Sequence, residues 1–74
     1  MKEAEYLKKV SANIKRLRQE KKLTQAELAY LCGFEKQNMQ RIEAAKTSPT
    51  LKTLLKISAA LKIDMKELVV SNRG

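Results

Sequence analysis

The chain contains no histidine and no tryptophan, and it has a single cysteine among its 74 residues. Without histidine, the sequence lacks the usual ligand sets of transition metals, so we expect no metal site. Cys32 has no partner for an internal disulfide, and neither Cys32 nor any serine has a histidine to serve as its general base. These absences predict a protein that is not an enzyme and that holds no cofactor.

Glycine and proline are scarce as well, with two residues and one residue respectively. The sequence therefore has no glycine-rich phosphate loop and no visible flexible linker. It also lacks an apolar run of about 20 residues, the length that spans a bilayer, and its first residues do not resemble a signal peptide. We expect one cytoplasmic domain over residues 1–70, followed by a short tail at residues 71–74, with no membrane partner.

What the chain does have is basic charge, with 16 Lys and Arg against 8 Asp and Glu and a net charge of +8. The excess lies on the flanks: residues 1–22 carry a net charge of +5, residues 49–74 carry +3, and the central residues 23–48 are neutral. Such a distribution favours an anionic partner such as nucleic acid. A merely soluble surface has the same composition, so the charge alone leaves both interpretations open.

Apolar residues recur at three- and four-residue steps, and no alternating strand pattern is present. This periodicity predicts an all-α fold, a compact bundle of five helices. The first three helices span about residues 3–20, 25–32 and 36–44. Thr50 caps a fourth helix, and a short fifth helix ends near Val70. One side of the fourth helix is expected to carry Leu51, Leu54, Leu55, Ser58 and Leu61.

Two short helix signatures separated by one glycine stand between Leu23 and Glu43. Thr24 and Glu27 have the spacing of a capping box, in which each side chain satisfies a backbone N–H at a helix start. Gly33 can end that helix in a left-handed conformation, and the next helix restarts almost at once. Helices joined this tightly cross at a steep angle. That is the geometry of a helix-turn-helix, whose second helix can enter a DNA major groove.

Near the C-terminus, Asp64 and Glu67 repeat the capping-box spacing, and we expect them to begin the fifth helix. The apolar residues Leu68, Val69 and Val70 follow. They form either a surface for self-association or part of the bundle's own core.

The third helix has two chemically different sides when successive residues are placed about 100° apart. Met39 and Ile42 define a narrow apolar side. Glutamine can form paired hydrogen bonds with adenine, and arginine or lysine with guanine. An ordinary solvated helix has the same side chains, so it is the preceding helix and the tight turn that favour base reading. The polar side presents Lys36 (at its edge), Gln37, Gln40 and Arg41.

From about residue 14 to residue 68 the chain resembles the lambda-repressor/Cro-type helix-turn-helix family, also called Xre-like. The landmarks are residues 14–18, residues 23–29, Gly33, Met39, residues 41–43, Pro49 and residues 51–68. The resemblance implies a five-helix bundle in which the second and third helices read DNA. By position, it implies that base edges are read by Lys36, Gln37, Gln40 and Arg41. It further implies that phosphates are contacted by Gln25, Asn38 and Lys46.

The same resemblance makes Arg18 and Glu43 a structural salt bridge between the first and third helices. Three residues depart from the family pattern. Glu35 stands at the cap of the third helix, where Ser or Thr is usual, although a carboxylate also caps well. Ala45 and Lys62 occupy positions where glycine is common, and Ala45 allows the following loop a different turn.

These features predict sequence-specific binding of double-stranded DNA by a small transcriptional regulator, associated with the nucleoid when bound. Because one such domain makes few base contacts, we expect a homodimer on a two-fold symmetric operator, with half-sites about 34–36 Å apart. The alternative is a protein-interaction module built on the same domain, such as an antitoxin with a protein partner.

Overall fold

The computed structural model describes residues 2–70, which form five α-helices and no β-strand. The predicted all-α bundle is confirmed, and the predicted tail at residues 71–74 lies outside the described residues. None of the helices within residues 2–70 is long and apolar enough to cross a membrane. The helices are α1 (Glu3–Glu20), α2 (Gln25–Cys32), α3 (Lys36–Glu43), α4 (Leu51–Leu61) and α5 (Lys66–Val69).

The long helix α1 organises the bundle, because it packs against α3, α4 and α5. Ser11 Oγ donates to the backbone carbonyl of Ile42 at 2.7 Å, which attaches the last turn of α3 to α1. Asn13 Nδ2 donates to the carbonyls of Leu68 and Val70 at 2.9 and 3.2 Å, which attaches α5 in the same way. These three bonds go to backbone carbonyls in or just beyond the last turns of α3 and α5, where carbonyls lack a partner within the helix.

One apolar core joins all five helices. The sequence left open whether Leu68 belongs to a self-association surface or to the core, and the structure buries it fully in the core. Val69 and Val70 stay exposed. The buried apolar residues are Ile14, Leu17, Leu28, Ala29, Cys32, Met39, Ile42, Ile57, Leu61 and Leu68.

The prediction for α4 is correct for Leu54, Ser58 and Leu61, which are buried or packed against the core, and wrong for Leu51 and Leu55. Ile57 and Leu61 point into the core, whereas Leu51 and Leu55 are 65% and 50% exposed. Leu51 and Leu55 lie one turn apart, on a different stripe of the helix from Ile57 and Leu61. Counting apolar residues could not distinguish these two stripes, because both repeat with helical spacing.

Four turn residues adopt the left-handed conformation: Gly33, with φ 76°, and three non-glycine residues, Lys22, Ala45 and Lys62, with φ between 58° and 60°. The expected change of turn at Ala45 is therefore wrong. Ala45 takes the conformation that glycine favours, at the conformational cost that a Cβ atom brings.

The side-chain caps expected from the sequence form at α2 and α4 but not at α3 and α5. Thr24 and Glu27 form the full capping box, and Thr50 Oγ1 accepts from the backbone N–H of Thr53 at 3.1 Å. The predicted box at Asp64 is wrong, because α5 begins later and Met65 occupies its cap without a side-chain bond. Glu35 stands at the cap of α3, also without a side-chain bond.

Candidate nucleic-acid interface

Helices α2 and α3 are joined by a turn of three residues centred on Phe34. Gly33 ends α2, and its left-handed backbone lets the Phe34 N–H donate to the carbonyl of Ala29 at 2.8 Å. The Phe34 ring packs against the core, and Lys56 Nζ of α4 lies 5.8 Å from its centre. The turn is thus held from both sides, which fixes the direction in which α3 leaves it.

Helix α3 is embedded along one narrow stripe only. Met39 and Ile42 are 0% and 2% exposed, and they alone among its eight residues are buried. Every other residue of α3 except Glu43 is exposed. The exposed set includes all four residues expected to read bases, Lys36, Gln37, Gln40 and Arg41, together with Asn38.

Arg18 and Glu43 form a nearly enclosed ion pair between α1 and the last turn of α3, with side chains 9% and 3% exposed. Arg18 Nε donates to Glu43 Oε2 at 2.7 Å, and Nη2 donates to Oε1 at 3.0 Å. Arg18 Nη1 also donates to the carbonyl of Leu23 at 2.7 Å. Such fully bonded bidentate pairs are geometrically specific. Since the two charges compensate each other here, Arg18 has no uncompensated charge to offer an anion.

Gln25, expected to contact phosphate, is itself part of this network. Its Nε2 donates to Glu43 Oε1 at 3.0 Å, which uses one of the two amide hydrogens. The second hydrogen and the amide oxygen remain to bind other groups. The first residues of an α-helix also have backbone N–H groups without an intrahelical partner. The Gln25 position therefore keeps donors for an anion while its side chain is held by Glu43.

A shallow cleft runs from the start of α2 to the start of α3. Lys36, placed at the edge of the polar side by the helical spacing, borders this cleft together with Gln25. The structure thus brings a residue expected to read bases next to one expected to meet phosphate. The cleft is lined by Arg18, Leu23, Thr24, Gln25, Ala26 and Lys36.

Lys46, also expected to contact phosphate, lies just beyond the end of α3. Its N–H donates to the carbonyl of Arg41 at 2.9 Å, and the Ala45 N–H donates to that of Ile42 at 3.1 Å. These bonds turn the chain back along the last turn of α3. Lys46 is exposed, so a cation stands at the opposite end of the helix from Lys36.

Cys32 offers neither a nucleophile nor a metal ligand to this surface. Its Sγ lies 3.8 Å from the carbonyl oxygen of Lys56. Burial raises the pKa of the thiol above its ordinary value, and the positive charge of Lys56 offsets part of that effect. Within residues 2–70, no three His, Cys, Asp or Glu side chains are grouped closely enough to hold a metal ion.

Two polar contacts that position the interface, those of Ser11 and Gln25, were not predicted from the sequence, and neither was the Asn13 contact that attaches α5. Ser11 lies on the same face of α1 as Ile14 and Arg18, so a hydroxyl on a buried stripe was the available signal. The Gln25–Glu43 bond joins residues that are 18 positions apart. Nothing in local spacing predicts it.

Two tightly joined helices, the second with a polar exposed side, on an all-α bundle define the helix-turn-helix class of DNA-binding domains. Sequence comparison gives the family. The model of the HTH_3 family, described as helix-turn-helix, matches residues 14–68. The chain belongs to this family of DNA-binding regulators, the Cro/C1 or Xre type.

Three relatives illustrate the similarity. The chain is 40% identical over 62 residues to the uncharacterized HTH-type transcriptional regulator y4dJ of Sinorhizobium fredii, covering 84% of this chain and 80% of that protein. It superimposes with a TM-score of 0.81 and 32% identity on the restriction-modification controller protein C.AhdI of Aeromonas hydrophila, covering 84% and 94% of the two chains. An HTH_3 family transcriptional regulator from Vibrio cholerae gives a TM-score of 0.86 at 27% identity, covering 90% of this chain and 38% of that one.

Proposed function

We propose that the protein binds specific sequences of double-stranded DNA and regulates transcription, with α3 lying in the major groove. The observation that carries this proposal is the division of α3 into two sides. Met39 and Ile42 anchor it in the core, while Gln37, Gln40 and Arg41 face solvent. A helix held by one stripe leaves the rest of its surface free to enter a groove.

The proposed roles follow the chemistry of each side chain. Gln37 and Gln40 can each pair with the two polar groups of an adenine edge, and Arg41 with those of a guanine edge. Lys36 reads a base from the border of the cleft. The proposed phosphate contacts are Gln25, Asn38 and Lys46, at the start of α2, on α3 and beyond its end.

We propose that two copies bind a two-fold symmetric operator, with half-site centres about 34–36 Å apart. Exposed apolar residues offer surfaces for their association. Val69 and Val70 remain accessible at the end of α5, and Leu51 and Leu55 form an exposed apolar stripe on α4. Sedimentation across a range of concentrations, with and without operator DNA, measures the association. A strict monomer in both conditions would contradict it.

A second candidate is a protein-interaction module such as an antitoxin. The specific observation in its favour is the exposed apolar surface of α2, where Tyr30 is 83% exposed and Leu31 is 55% exposed. Isolated exposed apolar residues are common, so this candidate ranks second. Purification of the untagged protein in a stoichiometric complex with another polypeptide would support it.

Selection of binding sites from random duplexes, followed by footprinting, tests the first candidate directly. A symmetric enriched motif would support both the reading of sequence and the binding of two copies. Once the motif is known, Arg41→Ala is expected to lose discrimination between bases at one or two positions. The loss is about 1–3 kcal/mol of binding free energy.

Lys46→Ala is the matched control, because it removes the same charge from the end of the same helix. We expect Lys46→Ala to weaken binding to all DNA sequences alike. We also expect it to reduce the salt dependence of binding by an amount equal to about one phosphate contact. If both variants bind every duplex as the parent does, α3 is not the helix that reads DNA.

A further inference from the structure

The turn between α1 and α2 holds a lysine in a conformation that lysine seldom adopts. Lys22 has a φ of 60°, in the left-handed region. Glycine would take this conformation without the steric cost of a Cβ atom. The backbone conformation at position 22 therefore favours glycine, yet the sequence has a lysine there.

Hydrogen bonds fix the backbone on both sides of Lys22. The Lys22 N–H donates to the carbonyl of Gln19 at 2.9 Å, and the Leu23 N–H donates to that of Arg18 at 3.1 Å. The Arg18 guanidinium in turn donates to the carbonyl of Leu23 at 2.7 Å. Because the turn is held this firmly, the direction of the Lys22 Cα–Cβ bond is also fixed, while the rest of the side chain stays flexible.

Lys22 directly precedes, in the sequence, the residues Leu23 to Ala26 that line the cleft of the candidate interface. Leu23, the next residue, lines the cleft together with Gln25 and Lys36. Arg18 also lines it, but Glu43 neutralises its charge. Lys22 is exposed and forms no ion pair with any residue in the range 2–70. Lys22 and Lys36 are thus the cations at this cleft whose charge is not compensated.

We propose that Lys22 is a phosphate-contacting residue of the DNA interface, placed outside the two helices of the helix-turn-helix. The inference rests on the proposed function. A lysine is a compact charge on a flexible stem, suited to a phosphate whose position varies from site to site. Each phosphate that is neutralised releases condensed counterions, so the contact has a measurable salt signature.

The chain contains a matched control in Lys62. Its φ is 59°, it is exposed, and it ends α4, whereas the interface lies on α2 and α3. Lys22→Gly and Lys62→Gly therefore remove the same charge and relieve the same backbone conformation at two places. Both variants are expected to unfold at higher urea concentration than the parent.

Only Lys22→Gly is expected to weaken binding to the selected operator, by about 3- to 10-fold, and to lower the slope of log K against log salt by about one. Its binding and its stability would then move in opposite directions. Lys22→Arg should keep the parent slope, because it keeps the charge.

The inference would be overturned if Lys22→Gly bound the operator as tightly as the parent protein does. It would also be overturned if Lys22→Gly and Lys62→Gly lost the same affinity, which would indicate a general effect of net charge. In either case the parent still binds its operator and the proposed function stands. A parent protein that binds no duplex would overturn the proposed function as well.

Discussion

Helices α2 and α3 have the same length, eight residues each, but they are held in different ways. Helix α2 begins with the capping box of Thr24 and Glu27 and ends at Gly33, so its own sequence closes both ends. Helix α3 begins at Glu35 without a side-chain cap. Its stabilising contacts come from other helices.

Those contacts concentrate on the last turn of α3. Ser11 binds the carbonyl of Ile42, while Arg18 and Gln25 bind the carboxylate of Glu43. The first turn and the polar side are left free of such bonds. Helix α3 is thus secured from one end while its polar side stays exposed, and the secured end is where substitutions should destabilise the protein most.

The largest effect is expected from Glu43→Ala. It leaves the enclosed guanidinium of Arg18 without its partner and releases Gln25, so we expect a loss of about 3–5 kcal/mol in the free energy of unfolding. That is comparable with the whole stability of a small domain. Urea denaturation followed by circular dichroism measures this loss of stability. If the loss exceeds the stability of the parent protein, the variant does not fold.

Glu20→Ala is the control for Glu43→Ala. It breaks the ion pair with Arg16, whose N–O distance is 3.2 Å and whose side chains are 40% and 58% exposed. Exposed pairs of this spacing contribute about 0.3–0.5 kcal/mol. Equal losses for Glu20→Ala and Glu43→Ala would show that the last turn of α3 is not the point of attachment.

The helix starts give a smaller effect that tests the same comparison. Thr24→Ala removes the cap of α2 and should destabilise the protein by about 1 kcal/mol. Glu35→Ala should change little, because no side-chain bond is lost. Glu35→Ser should stabilise by about 0.5 kcal/mol, since the extended backbone at this position suits a capping hydroxyl. A loss at Glu35→Ala as large as that at Thr24→Ala would contradict the contrast between the helices.

Local chemistry explains which features of the fold were predictable. The capping box at Thr24, the turn at Gly33 and the narrow stripe of Met39 and Ile42 all depend on residues close together in sequence. Spacing alone therefore predicted the five helices and the exposed side of α3. The same signal at Asp64 was wrong, because capping-box spacing is necessary for a box but does not ensure that the helix starts there.

Long-range contacts set the limit of what the sequence could tell. Which stripe of α4 faces the core depends on the helices packed against it, α1 and α2, so Leu51 and Leu55 were assigned to the wrong side. The Arg18–Glu43 pair was suggested by family resemblance, while the bond from Gln25 to the same carboxylate has no local signature. The proposed base contacts follow from exposure and chemistry, and DNA-binding experiments must test them.

Effects well below that of Glu43→Ala are expected at the C-terminal ends of the two helices, where Gly33 closes α2 and Ala45 follows α3. Both residues have a left-handed backbone, with φ of 76° and 58°. Beyond Gly33 and its two chain neighbours, no atom lies within 4 Å of a Cβ built on Gly33, so Gly33→Ala meets no clash with the rest of the protein. Only the conformational cost remains, about 0.5–1 kcal/mol after the entropy of the unfolded chain is counted.

Ala45→Gly is the reverse substitution at the corresponding place and should stabilise by a similar amount. The paired measurement sharpens the comparison, because α2 already has the residue that its end requires and α3 does not. Urea midpoints that shift in opposite directions, with unchanged slopes, would support this account. If Ala45→Gly instead destabilised the protein, the Ala45 methyl would have to make stabilising contacts that outweigh its strained backbone, and the poorer local closure of α3 would no longer explain why it depends on α1.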